Sequence, residues 1–153
     1  MTPKIAWEAI AHLLPADKVL WEAFYGDGSS GKYLTELGFQ VIHTNEDFFD
    51  HNKGDIIVSN PPFSKTKEVL TRLKELGKPF VMLLPCLKLV TRYTADLFGK
   101  DESPLQIIIP RKRIHFKKFV DGKPVPNWKD QTAFDCYYYC WKMNLPRDIL
   151  WLD

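Results

Sequence analysis

The chain has 153 residues, 45% of them hydrophobic, and a formal net charge of +2, which suits one compact domain spanning 1–153. No run of about 18 apolar residues offers a transmembrane helix, and no basic start leads into an apolar stretch as in a signal peptide. A cytoplasmic location and no membrane partner are therefore expected.

Thr2 before Pro3 has the form of a helix N-cap with proline at the first helical position. Ile5, Ala6, Ala9, Ile10, Leu13 and Leu14 then recur at helical spacing until Pro15. Residues 18–24 (KVLWEAF) read as a strand running into a glycine-rich turn over 25–31. A helix over 30–37 stops at Gly38, and 39–44 is the next strand, followed by Asn45-Glu46-Asp47 and Phe48-Phe49. After a polar turn at 51–54, a short apolar strand leads into Asn60-Pro61-Pro62-Phe63. Ser64 is placed to cap the following helix, with Val69, Leu70, Leu73 and Leu76 on its buried face and Gly77 at its end. A buried strand over 80–84 and a helix over 89–98, ended by Gly99, come next.

The last third changes character: strands are expected over 105–109, 113–119 and 133–142 with no helix between them. Strands alternating with helices, then strands alone, predict an α/β fold with a mostly parallel sheet and an antiparallel C-terminal edge. Cys86, Cys136 and Cys140 form an odd set without a C-x-x-C pair. That spacing supports neither a disulfide framework nor a zinc site, and it predicts buried thiols, with Cys136 and Cys140 facing the same side of a strand. Tyr137-Tyr138-Tyr139 reads as edge-strand packing.

The turn Gly26-Asp27-Gly28-Ser29-Ser30-Gly31-Lys32-Tyr33 fits three patterns. As a P-loop it fails at Tyr33, because a phenol cannot replace the small hydroxyl that holds magnesium. As G-x-G-x-x-G between strand and helix it matches a dinucleotide fingerprint, with Glu46 and Asp47 near the place of a ribose-binding acid. As an acid, one residue, an aromatic and then G-x-G, Glu22-Ala23-Phe24-Tyr25-Gly26-Asp27-Gly28 matches an S-adenosylmethionine turn. In that pattern Glu22 pairs with the donor's ammonium group, and glycine backbone lets the ligand approach closely. N–H groups at the helix start favour its carboxylate. An acid after the next strand holds the ribose, and an aromatic such as Phe48 lines the adenine. The loop alone does not choose between a nicotinamide cofactor and a methyl donor.

The second motif makes the choice. Ile57-Val58-Ser59-Asn60-Pro61-Pro62-Phe63 carries a [DNS]-P-P-[YFW] signature, one strand pair after the donor turn. From about Val19 to Trp141 the chain resembles the amino-methyltransferases that act on adenine N6, within the Rossmann-like methyltransferase superfamily. The resemblance implies a Rossmann-like methyltransferase sheet, pared down, with helices on both faces and S-adenosylmethionine as cofactor. It implies Asn60, Pro61, Pro62 and Phe63 as catalytic residues, and Glu22, Phe24, Tyr25, Gly26, Asp27, Gly28, Asn45, Asp47 and Phe48 as donor contacts.

An exocyclic amino nitrogen is a poor nucleophile because its lone pair is delocalised into the ring. The Asn60 side-chain oxygen and the Pro61 carbonyl could accept its two hydrogens, favouring a pyramidal nitrogen and stabilising the charge that develops there. Phe63 would stack on the base, which in a duplex must first be flipped out. Neither a metal nor a strong general base is required.

The chain between 39 and 55 is too short for the family's usual second helix and third strand, so either the sheet is pared down or Asp47-Phe48-Phe49 combines the ribose and adenine roles. Which of Asn45, Glu46 and Asp47 holds the ribose stays open. There is also no room for a separate target-recognition domain, so specificity comes from short loops, from a partner subunit, or is low.

Charge is uneven: 111–123 holds six Lys/Arg and one Asp, so the remainder is net negative. Alternation puts Arg113, His115 and Lys117 on one side, and Lys112, Arg113 and Lys117 are the expected phosphate contacts of a DNA or RNA substrate. Arg113-Ile114-His115-Phe116 is similar to the R-I-x-F segment of small phage-type adenine methyltransferases. Similar turns also serve guanine N2 and protein glutamine methylation, and a catalytically silent scaffold binding nucleic acid or a partner is the alternative outside enzymes.

Overall fold

The computed structural model describes residues 2–116, 119–120, 123–124 and 135–153. The first helix, α1 (Lys4–Glu8), is followed by a 3-10 turn at Ala11–Leu13. Strand β1 (Val19–Trp21), helix α2 (Ser29–Glu36) and strand β2 (Gln40–Ile42) come next, then β3 (Ile56–Ser59), α3 (Thr66–Leu76) and β4 (Phe80–Pro85). Helix α4 (Arg92–Phe98) precedes β5 (Leu105–Ile109), a two-stranded pair of β6 (Phe119–Val120) and β7 (Lys123–Pro124), β8 (Cys136–Trp141) and β9 (Ile149–Trp151).

Among the described residues, one seven-stranded sheet has the order β2-β1-β3-β4-β8-β5-β9. Its β2, β1, β3 and β4 are parallel, and β8 runs antiparallel to both β4 and β5. The antiparallel pairing thus falls in the C-terminal half of the sheet. The tyrosine run lies inside it: Tyr138 and Tyr139 are fully buried and donate to the carbonyls of Ala6 and Pro85. They are packing residues, as expected, but of an interior strand rather than an edge.

The two-residue period of the strands divides the core into two layers. Leu20, Ile56, Val58, Val81, Leu83, Tyr138 and Cys140 face α1 and α2, packing with Trp7, Ile10 and Leu34. Trp21, Ile57, Phe80, Met82, Leu84, Tyr139 and Trp141 face α3 and α4, packing with Val69, Leu70, Leu73 and Phe98. Cys136 and Cys140 share the first face, as their spacing predicts. Each fully buried large side chain contributes about 1.5–3 kcal/mol, so these layers fix the strands whose ends carry the site. The described helices include none long and apolar enough to cross a membrane.

Four local readings are corrected. Thr2 makes no capping bond to α1, which starts after Pro3, and its hydroxyl is used elsewhere. Ser64 does not cap α3 either. A 3-10 turn at Phe63–Lys65 intervenes, and Thr66 Oγ1 donates to the Phe63 carbonyl at 2.7 Å. Residues 113–116 form no strand, and 117–118 lie outside the described residues. The expected alternation is nonetheless present, with Ile114 and Phe116 buried and Arg113 and His115 exposed. The helix expected over 89–98 begins later, at Arg92, where Thr91 Oγ1 accepts from the Thr94 N–H.

Between β2 and β3 the described chain forms only a 3-10 turn at Phe48–Asp50, and β2 is the sheet's edge strand. That is the pared-down sheet expected from the short connection.

Candidate active site

Strand β1 pairs with β2 on one side and β3 on the other, so the direction of strand addition reverses at β1. Backbones diverge beyond the carboxyl ends of strands at such a switch point and leave a crevice there. A cleft of about 790 Å³ lies at this place, within the usual range for a small-molecule site. Its wall includes Glu22, Phe24, Tyr25, Gly26 and Asp27 after β1, and Asn45, Asp47 and Phe48 after β2. Asn60, Pro61, Pro62 and Phe63 after β3 complete it. The two motifs, read separately in the sequence, therefore meet in one cavity.

The turn after β1 is shaped by its own short-range bonds. Gly26 and Gly28 have φ of +59° and +84°, values L side chains rarely adopt. A Cβ on Gly28 would also sit 2.8 Å from the Tyr25 hydroxyl oxygen. Gly28 itself is not part of the cleft wall; it is the N-cap of α2 and sets the direction in which that helix leaves. Asp27 Oδ1 accepts from the Ser29 N–H at 3.0 Å and the Ser29 hydroxyl at 2.6 Å, which fixes the helix start.

Glu22 is 2% exposed. Its Oε1 accepts from the Phe24 N–H at 3.0 Å and from the Ser59 hydroxyl. Burial pushes its carboxyl up to about 8, with those two hydrogen bonds opposing the shift. A buried acid on a cavity wall, with no cationic partner among the described residues, suits a ligand that brings its own positive charge. Ser59, unassigned from the sequence, links the donor turn to the motif that follows it. Its one visible signal was a hydroxyl at the end of the apolar strand β3.

After β2, Asp47 Oδ1 accepts from the Phe49 N–H at 2.9 Å, holding the 3-10 turn. Glu46 is paired with Lys53 and lies 3.4 Å from His51 Nε2, and the Lys53 hydrogen bond holds its carboxyl below the ordinary range. Phe48 is 2% exposed and packs against Trp21 and Phe24, with ring centroids 5.6 and 4.8 Å away. Its ring is chiefly core; the half-buried Phe49 beside it also lines the cleft.

In the motif after β3, Asn60 Nδ2 donates to Thr2 Oγ1 at 2.7 Å. Asn60 Oδ1 is buried and, among the described residues, has no hydrogen-bond partner. A buried acceptor left unpaired costs about 1–3 kcal/mol, so this oxygen is set for a donor from outside the chain. Phe63 is half-buried and meets Phe116 edge-on, with centroids 6.3 Å apart and planes at 83°. Phe116 comes from the basic segment and also lines the cleft.

The cations of that segment do not. Lys112 and Arg113 are exposed and outside the cleft wall, and Arg113 Nε lies 3.6 Å from Asp135 Oδ1. Lys117 falls outside the described residues. The cation on the wall is Lys65, two residues beyond Phe63. Thr2, Ser59 and Lys65 are residues whose place at the site sequence reasoning missed.

No protein-family model and no curated protein matches the chain. Among solved structures, it is similar to a proposed class I S-adenosylmethionine-dependent methyltransferase from Listeria monocytogenes, with a TM-score of 0.55 and 14% identity. The alignment covers 99% of this chain, which spans 64% of the length of that one. The likeness defines the fold: a Rossmann-like sheet of the class I methyltransferase type.

Proposed function

We propose that the protein is an S-adenosylmethionine-dependent N-methyltransferase acting on the exocyclic N6 of adenine in DNA or RNA. The observation that carries the proposal is the buried Oδ1 of Asn60, unpartnered among the described residues, on a side chain that lines the same cleft as the buried acid Glu22.

The cleft suits the donor's parts. Glu22 would take the ammonium, the N–H groups at the start of α2 the carboxylate, and Asn45 or Asp47 the ribose. Phe48 and Phe49 would border the adenine. Of the three candidate ribose ligands, Glu46 is engaged by Lys53 and His51, which favours its neighbours. When bound, the donor supplies a methyl carbon that leaves sulfur with the S–C electron pair staying behind as the N–C bond forms.

The chain's own residues prepare the nitrogen. Asn60 Oδ1 and the Pro61 carbonyl accept its two hydrogens, and the two prolines that follow Asn60 stiffen the turn. Acceptors fixed beforehand stabilise the positive charge on nitrogen without reorganising. Phe63, backed edge-on by Phe116, stacks on the base, and the proton shed by nitrogen leaves to water. A nicotinamide enzyme would use the glycine turn but gives no role to Asn60. Lys112, Arg113 and Lys117 approach the phosphates of the substrate beyond the pocket, in the cytoplasm, alone or with a partner subunit that selects the target.

The test is to offer methyl-labelled S-adenosylmethionine with DNA, RNA and protein in parallel. Label is expected in nucleic acid. Label in protein glutamine alone overturns the substrate class, and no donor binding by calorimetry makes the chain a silent scaffold.

A further inference from the structure

We infer that Thr2 is a positioning residue for the target amine: its hydroxyl oxygen anchors the Asn60 side-chain amide in the cleft wall. The inference rests on the reaction proposed above.

A side-chain amide has two ends of nearly equal shape and opposite hydrogen-bonding character. Turned one way, Asn60 offers an acceptor to the incoming amino group. Turned the other, it presents two N–H donors to a group that is itself a donor, and no bond forms. The backbone of the Asn-Pro-Pro-Phe turn places the side chain but does not choose between these ends. A threonine hydroxyl serves either end as well; Thr2 accepts from Nδ2 at 2.7 Å across 58 residues of sequence, which anchors the side chain and leaves Oδ1 as the end free to meet the N–H of the incoming amine.

The bond is sheltered, since Thr2 is 4% exposed and itself lines the cleft; away from water a hydrogen bond is stronger and more directional. The segment that delivers Thr2 is well anchored. Trp7, fully buried, donates from Nε1 to Ser30 Oγ at 3.1 Å, and Tyr138 donates to the Ala6 carbonyl at 2.5 Å. Lys4 pairs with Glu36 on α2 at 2.9 Å. These contacts dock α1 on α2 and on β8, and the two residues before α1 are carried to Asn60.

The experiment compares Thr2→Val, which keeps the shape and removes the acceptor, with Thr2→Ser, which keeps it. Nitrogen-15 NMR of the Asn60 side-chain amide should show slowly exchanging protons in wild type and Thr2→Ser, and fast exchange in Thr2→Val. Thr2→Val should lower kcat about tenfold, the effect of one lost oriented hydrogen bond, while the donor Kd stays unchanged. Thr2→Ser should restore kcat, and adding Thr2→Val to Asn60→Ala should cost nothing more. Wild-type kcat in Thr2→Val, or unchanged Asn60 amide exchange, overturns the role of Thr2 and leaves the reaction standing. A wild-type protein that binds donor yet methylates no nucleic acid overturns the reaction instead, whatever the amide signals show.

Discussion

The turns that follow β1 and β3 share one cleft but are held in opposite ways. The 22–28 turn is maintained by bonds between residues two apart, Glu22 with Phe24 and Asp27 with Ser29, and by two glycines at positive φ. The 60–63 turn takes its orientation from far away: Ser59 on Glu22 across 37 residues, and Asn60 on Thr2 across 58. The first is a local shape that any short sequence can specify. The second is rigid through its prolines and anchored by tertiary contacts. In the proposed function donor binding and amine alignment fall to different turns, joined by the Ser59–Glu22 hydrogen bond.

The largest effect should come from Asn60→Ala, which removes the acceptor and leaves the donor turn untouched. Transfer in single turnover is expected to fall about 100- to 1,000-fold, the range for losing one preorganised charge-stabilising group. The donor Kd, from calorimetry, should stay at the wild-type value; a large loss of donor affinity would show that the turns are not separable.

Glu22→Gln attacks the other side. Removing the charge that faces the donor's ammonium should weaken donor binding about 10- to 100-fold, as for truncating one member of a buried charge pair. The same variant carries a pH signature. The native carboxyl is pushed up to about 8 by burial, against an ordinary value of 4.5. Between those values the native state binds a proton that the unfolded chain has released. Its stabilising contribution is complete below about 4.5 and is lost as pH rises through about 8. Urea unfolding should show wild-type stability declining by up to about 1.4 kcal/mol per pH unit in that window, and Glu22→Gln should flatten the decline. A cation beside Glu22 favours its ionised form, so donor binding at pH 7 should also release a proton.

Gly28→Ala tests the local geometry of the donor turn. A Cβ in the left-handed region costs about 1–2 kcal/mol, and here it also presses on the Tyr25 ring. Urea unfolding should register that loss; a neutral result would show that the turn can relax without glycine.

How much of this was legible follows the same division. The glycine turn, the helix over α2 and the Asn-Pro-Pro-Phe turn each rest on spacing and local backbone preference and stand where the sequence puts them, whereas β1 and β2 are shorter than the strands expected over 18–24 and 39–44. Thr2 was misread because Thr-Pro ahead of an apolar repeat is a good local cap, and nothing nearby reveals an amide 58 residues away. Ser59 was passed over as part of a strand. The expected strand over 113–119 rested on alternation, and alternate burial of Ile114 and Phe116 is satisfied by extended chain without a hydrogen-bonded ladder among 113–116. Sequence charge likewise pointed to Lys112 and Arg113, whereas the cleft wall receives Lys65.

That last contrast sets the smallest effect. Lys112→Gln with Arg113→Gln should weaken nucleic-acid binding evenly across sequences and reduce the slope of log affinity against log salt by less than about 2, with kcat unchanged. A change in target preference would instead bring these cations into base recognition.

The most direct test is nucleoside analysis of an oligonucleotide incubated with wild-type protein and labelled S-adenosylmethionine, with Asn60→Ala alongside at saturating donor. The expected result is N6-methyladenine from the wild type and none from the variant. Label on guanine N2, or equal methyladenine from both proteins, would contradict the assignment of Asn60 as the acceptor that selects and aligns the adenine amine.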